Sequence, residues 1–187
     1  MLHQTPHTLG ADLRALRKAR GLTLIELAEK LDRSVGWLSQ VERDLSAPSM
    51  ADLRQLAKAL DVSVSMLSRH KAVINDEAGF VVRAASRRPV SPRVDGLFEE
   101  LLSPDLTDDF EMVHSRFQPG ASIKEPVIRP TQEVGFIITG KLDLKIGKRR
   151  FTVGPGDSFR IRGEAFTWAN PYPETTVAIW VIAPPVY

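Results

Sequence analysis

The sequence predicts an α + β chain of two domains, helical as far as residue 69 and antiparallel β from residue 80 to residue 187. Three observations carry that prediction. Between residues 8 and 69, apolar residues recur at helical spacing and each run is punctuated by a capping residue. From Phe80 onward, short β-branched and aromatic segments are interrupted by Gly, Pro or Asn every 8–12 residues, the rhythm of an antiparallel sandwich or barrel. Between the two halves, residues 70–79 (HKAVINDEAG) have no periodicity and read as a linker.

The helical half opens after an N-terminal arm, residues 1–7, expected to be disordered, whose His3 and His7 have no ligand-like neighbours. The first helix is expected over Leu9–Arg20, with Leu9, Leu13 and Leu16 inward and Gly21 as its stop. Thr23 followed by Glu26 is a capping box, in which each side chain satisfies a backbone N–H of the first turn. Leu24, Leu27, Ala28 and Leu31 then form one apolar face. Asp32 and Arg33 break the pattern, and Ser34 caps a further helix with Leu38 and Val41 inward. Ser49 and Asp52 open a fourth helix with Leu53, Leu56, Ala57 and Leu60 inward, and Ser63–Ser68 forms a short fifth.

Two helices joined by so short a turn as residues 32–34 must cross steeply, which is helix-turn-helix geometry. The second of them leaves Val35, Gly36, Ser39 and Gln40 off its apolar face, where they reach base edges in a major groove. Gln40 is the candidate base reader, because an amide bonds adenine N6 and N7 together; Val35 fits a thymine methyl, and Gly36 leaves room for close approach. Ser34, Ser39 and Arg43 are candidate phosphate contacts that set register. Trp37 reads as a packing residue. The bland alternative for Ser39 and Gln40 is a solvated helix face.

The run LTLIELAEKLDRSVGWLSQVERDLSAPSMADLRQLAKALDVS resembles the lambda-repressor-like (XRE-type) helix-turn-helix family, and the resemblance covers residues 9–69, the whole five-helix unit. It implies a DNA reader, and an ion pair between Arg17 and Glu42 that orients the recognition helix. Two positions depart from the family pattern. Leu24 replaces a Gln that usually touches phosphate, so that contact is not carried over. Asp44 stands where a helix-ending Gly is usual; Asp tolerates the left-handed conformation less easily than Gly.

Composition bounds the remaining choices. At 43% hydrophobic and 26% charged residues the chain has the make-up of a soluble globular protein. There is no Cys, which removes disulfides and thiolate zinc sites and makes a reducing cytoplasm the expected compartment. No signal peptide and no bilayer-spanning apolar run are seen, so no membrane partner is expected. Net charge is +2, and residues 1–71 hold 11 Lys/Arg against 8 Asp/Glu while the remainder holds 14 against 15. The basic excess lies on the half assigned to DNA, the sign a phosphate-facing module needs.

In the second half, KLDLKI alternates Leu142, Leu144 and Ile146 with polar residues, as a half-buried strand does. The prolines of SRRPVSPRVDG exclude central-strand pairing, so that segment is an edge or strap with solvated arginines as the default and DNA or a partner subunit as the alternative. Gly120, Glu133 and Gly140, followed by GPGDSF at 154–159 and Asn170, resemble the two motifs of the cupin family, a jelly-roll barrel, over residues 110–185. Enzymes of that family hold a divalent metal with two His and a Glu from the first motif and a His from the second. Here those His positions fall on Pro126 and Ile128, or on Val127 and Arg129, and on Phe166; only Glu133 remains. One carboxylate cannot hold a catalytic divalent ion, so a barrel without metal or other cofactor is expected. His114 is read as a core or surface histidine.

An interior carboxylate still needs hydrogen bonds or a cation. Either Glu133 meets an amine or hydroxyl of a small effector, with Arg129 beside it and Phe136, Phe166, Trp168 and Trp180 as pocket walls, or it pairs with Arg129 or Arg162 and has no ligand. Together the resemblances imply a transcriptional regulator, more often a repressor, that binds an inverted-repeat operator as a homodimer and senses a small polar metabolite through its barrel. The alternatives are an iron-dependent enzyme of the same two-domain layout, disfavoured by the missing histidines, and a partner-binding module such as an antitoxin.

Overall fold

The computed structural model describes residues 8–68, 77, 79–90, 94–104 and 106–186. The expected arm at 1–7 lies outside them, as does most of the expected linker at 70–79. The chain divides into two compact units. The first comprises Met1–Arg88, Ser103–Asp108 and Val186–Tyr187; the second comprises Pro89–Leu102 and Asp109–Pro185. One division falls at Arg88/Pro89, and a segment between two strands, residues 103–108, belongs with the helices.

In the first unit, α1 (Leu9–Ala19), α2 (Leu24–Lys30), α3 (Val35–Glu42) and α4 (Met50–Ala59) are full helices. The fifth, α5 (Val64–Ser68), is a short helix of five residues. Leu13, Leu16, Leu27, Leu38, Leu56, Leu60 and Leu67 are sealed from solvent and make the core. Side-chain caps start the first four helices: Thr8, Thr23, Ser34 and Ser49 each accept a first-turn N–H, and Thr23/Glu26 and Ser49/Asp52 form reciprocal boxes.

The same four helices end alike. In each, the second residue past the cap donates its N–H to a carbonyl five residues back, as Leu45 does to Gln40 at 2.9 Å, which is the Schellman arrangement. It needs a left-handed residue, supplied by Gly21 after α1 but by Asp32, Asp44 and Asp61 after the others, with φ of 52°, 57° and 53°. Asp44 compensates for its strain: its Oδ1 accepts the Gly10 N–H of α1 at 2.9 Å. Gly10 in turn admits no side chain, since a Cβ there would meet the Val41 carbonyl oxygen at 2.5 Å.

One member of the arginine-rich strap is not solvated. Arg88 Nη1 donates to Asp12 Oδ2, both groups are buried, and Asp12 Oδ1 also accepts the Leu106 N–H. A buried carboxylate in the first turn of α1 is favoured by the helix dipole and completed by a guanidinium, so this arginine is structural.

The second unit contains β1 (Arg88–Pro89, begun in the first), β2 (Leu97–Leu101), β3 (Glu111–Phe117), β4 (Gln132–Thr139), β5 (Leu142–Ile146), β6 (Arg149–Val153), β7 (Ser158–Arg162), β8 (Phe166–Ala169) and β9 (Thr176–Ala183). They form a six-stranded sheet ordered β1-β2-β3-β9-β4-β7 and a three-stranded sheet ordered β6-β5-β8. This is the expected β-rich architecture, but among the described residues the strand pairing does not close into a barrel. Leu142 and Leu144 face inward as KLDLKI predicted. Asn170, fully buried, ties the turn before β9 by donating to the carbonyls of Phe117 and Glu174.

Candidate functional site

On α3 the buried residues are Leu38, Val41 and Glu42, while Val35, Gly36, Gln40 and Arg43 are exposed and Ser39 is half-buried. The periodicity explains this split: positions 38, 41 and 42 share one side of a 3.6-residue helix, and 36, 40 and 43 lie on the other. Ser34 holds the N-terminus, accepting the Trp37 N–H at 3.1 Å. Arg43 Nε bonds the Ser39 carbonyl, leaving its other donors outward. A side chain at position 36 would meet no atom closer than 4.0 Å, so Gly36 keeps the helix surface low rather than avoiding an internal clash. Trp37 is half-buried and takes the Arg33 guanidinium over its ring at 5.3 Å, a packing role. Arg33 also pairs with Asp52 at 2.6 Å. The Ser49 hydroxyl and backbone N–H, then Arg33, hold the Asp52 carboxyl below the ordinary carboxylate range.

What fixes the attitude of α3 is the pair between Arg17 and Glu42. Arg17 Nε and Nη2 grip the two carboxylate oxygens at 2.6 and 2.9 Å, and Nη1 caps the Leu22 carbonyl at 2.8 Å. The side chains are only 11% and 5% exposed, and the Glu42 carboxylate raises the Arg17 pKa. A two-toothed grip in a desolvated place allows neither slide nor rotation of α3 against α1.

In the β unit, Glu133 is sealed from solvent at the inner face of β4. Thr131 Oγ1 donates to its Oε1 at 2.7 Å and Trp180 Nε1 to its Oε2 at 2.9 Å. Arg129 stands more loosely, with Nε 3.2 Å from Oε1 and Nη2 3.4 Å from Oε2, and its guanidinium lies over Phe166 at 5.5 Å. Of the two cations considered for Glu133, Arg129 is the partner; Arg162 sits across from Gln132 on the exposed side of β7.

Three of the expected pocket walls pack against one another and their neighbours. Phe166, Trp168 and Trp180 are buried and packed against Phe117 and Phe159, with edge-to-face contacts Phe117–Trp168 at 4.7 Å and Phe159–Trp180 at 4.9 Å. Gly135 exists to admit Phe159, whose ring a Cβ would meet at 2.1 Å. Phe136 is a correction. Strand alternation sends it to the face opposite Glu133, where it is 46% exposed and lines nothing with the others. A cavity of about 350 Å³ is lined by one of the expected walls, Trp168, with Asp143, Lys145, Arg150, Thr152 and Thr167.

A divalent metal does not fit the Glu133 position. Both carboxylate oxygens are occupied by side-chain donors and a guanidinium, Ile128 is 70% exposed, and Phe166 supplies no ligand. Among the described residues no three His, Cys, Asp or Glu side chains come together as an ion would need. His114 lies on the outer face of β3, 3.9 Å from Glu100. No helix among the described residues is long and apolar enough to cross a membrane.

Comparison with known proteins matches a helix-turn-helix domain model to residues 8–69 and a cupin domain model to residues 113–182. The immunity repressor protein of Bacillus phage phi105 is 29% identical over 136 residues, covering 72% of this chain and 94% of that one. The HTH-type transcriptional regulator SinR of Bacillus licheniformis is 39% identical over 64 residues, 34% of this chain and 58% of that one. A crystal structure of an HTH_3-family transcriptional regulator from Vibrio cholerae covers 94% of both chains at 20% identity and a TM-score of 0.45, too loose an overlap to add weight. The two domain matches and the named relatives carry the assignment. The chain joins a helix-turn-helix domain at residues 8–69 to a cupin domain at residues 113–182, and the relatives it resembles are transcriptional regulators.

Proposed function

We propose that the chain is a homodimeric repressor that reads an inverted-repeat operator with α3 and answers to a small polar metabolite through its cupin unit. The carrying observation is the exposed face of Gly36, Gln40 and Arg43, with Val35 exposed in the first turn, on a helix whose opposite side is locked by Arg17 and Glu42. Gln40 reads a base edge, Val35 meets a methyl, and Ser34, Ser39 and Arg43 bind phosphate. Two-fold symmetry sets half-sites about 34 Å apart or at a multiple of that spacing. Selection from random duplexes tests the reading: an inverted repeat is expected, and enrichment of no sequence would contradict it.

Two features support sensing at the Glu133 cluster. Arg129 is 25% exposed, so solutes reach it, and it holds Glu133 only loosely. Glu133 keeps its bonds from Thr131 and Trp180 when Arg129 turns away, so the guanidinium can transfer to an incoming acceptor without orphaning the carboxylate. The effector group is therefore an anion or carbonyl meeting Arg129 rather than an amine meeting Glu133. Its binding shifts the operator-competent population only in so far as the two states bind it unequally. Thermal-shift screening of organic acids against wild type and Arg129→Met checks this; a stabilising acid whose effect survives the substitution would contradict the assignment.

A further inference from the structure

The hairpin of β5 and β6 concentrates positive charge on the three-stranded sheet. Between residues 144 and 156 the sequence holds four cations, Lys145, Lys148, Arg149 and Arg150, and no acid. Strand register sets Lys145 directly opposite Arg150 on β6 and directly opposite Thr167 on β8. Side chains paired in this way leave the sheet on one face, here the face away from the buried Leu144 and Trp168, and both cations are exposed. Like charges directly opposite on paired strands destabilise a sheet. Neither cation has an ion-pair partner among the described residues to relieve that repulsion.

The same three side chains line the cavity of about 350 Å³, a volume in the range of small-molecule sites. Asp143, the carboxylate of its lining, is held apart from them: its Oδ1 accepts the hydroxyls of Thr152 at 2.7 Å and Tyr172 at 2.9 Å. The donors left to the cavity are therefore the Lys145 ammonium, the Arg150 guanidinium and the Thr167 hydroxyl. Two cations and a hydroxyl suit the doubly charged, three-oxygen end of a phosphate monoester better than a carboxylate, which brings one charge and two oxygens. Asp143 Oδ2 carries no bond among the described residues and adds an acceptor beside that donor set. We propose that this cavity binds a small phosphorylated polyol, its phosphate between Lys145, Arg150 and Thr167 and one of its hydroxyls donating to Asp143 Oδ2. These four residues have no part in the operator and effector contacts proposed above.

Backbone-amide NMR titration of the full chain with glycerol phosphate tests the site, at constant ionic strength and beside inorganic phosphate and glycerol. Saturating shifts on β5, β6 and β8 are expected with glycerol phosphate, weaker binding with inorganic phosphate and none with glycerol. Lys145→Met with Arg150→Met is expected to weaken binding of the ester about tenfold or more, the scale of losing charge-assisted bonds. The same pair is expected to raise the melting temperature in phosphate-free buffer, because it removes the opposed charges, and the melt also shows that the variant folds. Arg116→Met with Arg160→Met, an equal loss of charge on the other sheet, is expected to leave binding within about twofold. Shifts that do not saturate or that lie on other strands, or an equal loss in the Arg116 and Arg160 pair, would overturn the site. Equal affinity for inorganic phosphate and the ester would overturn the polyol and its contact with Asp143.

Discussion

The molecule contains two Arg–Glu pairs of the same chemistry and opposite character. Arg17 holds Glu42 with two short parallel bonds while nearly sealed from solvent. Arg129 holds Glu133 across 3.2 and 3.4 Å while a quarter exposed, and two neutral donors share the carboxylate. A carboxylate whose bonds among the described residues all come from one arginine makes that arginine indispensable; one with other donors makes its arginine exchangeable. The first pair suits a part that must not move, the second a part that can respond.

The comparison is broken most easily at Arg17. Arg17→Ala is expected to cost about 3–5 kcal/mol in urea unfolding, because it strands a buried charge. Gln40→Ala, which touches no packing, is expected to leave melting unchanged and cost about 1–3 kcal/mol in operator binding with relaxed preference at one base pair per half-site. Arg43→Ala should instead weaken binding evenly across sequences and lower the salt slope by about one per protomer. Arg129→Met sharpens the contrast: with Thr131 and Trp180 still bonded to Glu133, the expected loss of stability is about 1–2 kcal/mol, well below that of Arg17→Ala. If the two arginine variants unfold alike, the distinction between the pairs is wrong.

Smaller effects lie in the caps. Asp61→Gly and Asp32→Gly relieve a left-handed side chain and are expected to raise stability by up to about 1 kcal/mol, whereas Asp44→Gly also forfeits the bond to Gly10 and should gain nothing. The pH dependence follows from Asp52. Its folded pKa is lowered, chiefly by the Ser49 hydroxyl, so the unfolded chain binds the proton more readily. Its contribution is fully present above the ordinary carboxylate range and lost as pH falls through the lowered folded value. Asp52→Asn should therefore flatten the acid limb of the stability curve, measured by urea midpoints, and leave its neutral-pH slope alone.

The helical half was largely legible because its signals are local. A Thr or Ser three residues before an acid, and a leucine every third or fourth position, specify both the helix and its inner face. The exposed α3 stripe and the Arg17–Glu42 pair followed from that phase and from the family resemblance. Asp44 was read as an imperfect glycine because its carboxylate acts on Gly10, 34 residues away, which no local pattern reveals. Arg88 was hidden for the same reason, its partner being Asp12. In the β half the alternation in QEVGFIIT was sufficient to place Phe136 opposite Glu133, so that error lay in overlooking a period of two. That Phe159 fills the space Gly135 leaves depends on the pairing of β4 with β7 and was not legible beforehand.

The central claim is that the exposed face of α3 reads duplex DNA, and parallel selection of operators by wild type and Gln40→Ala tests it most directly. The account predicts an inverted repeat for both proteins, with one symmetric pair of positions losing its base preference in the variant. An identical motif from both, or no motif from the wild type, would contradict it.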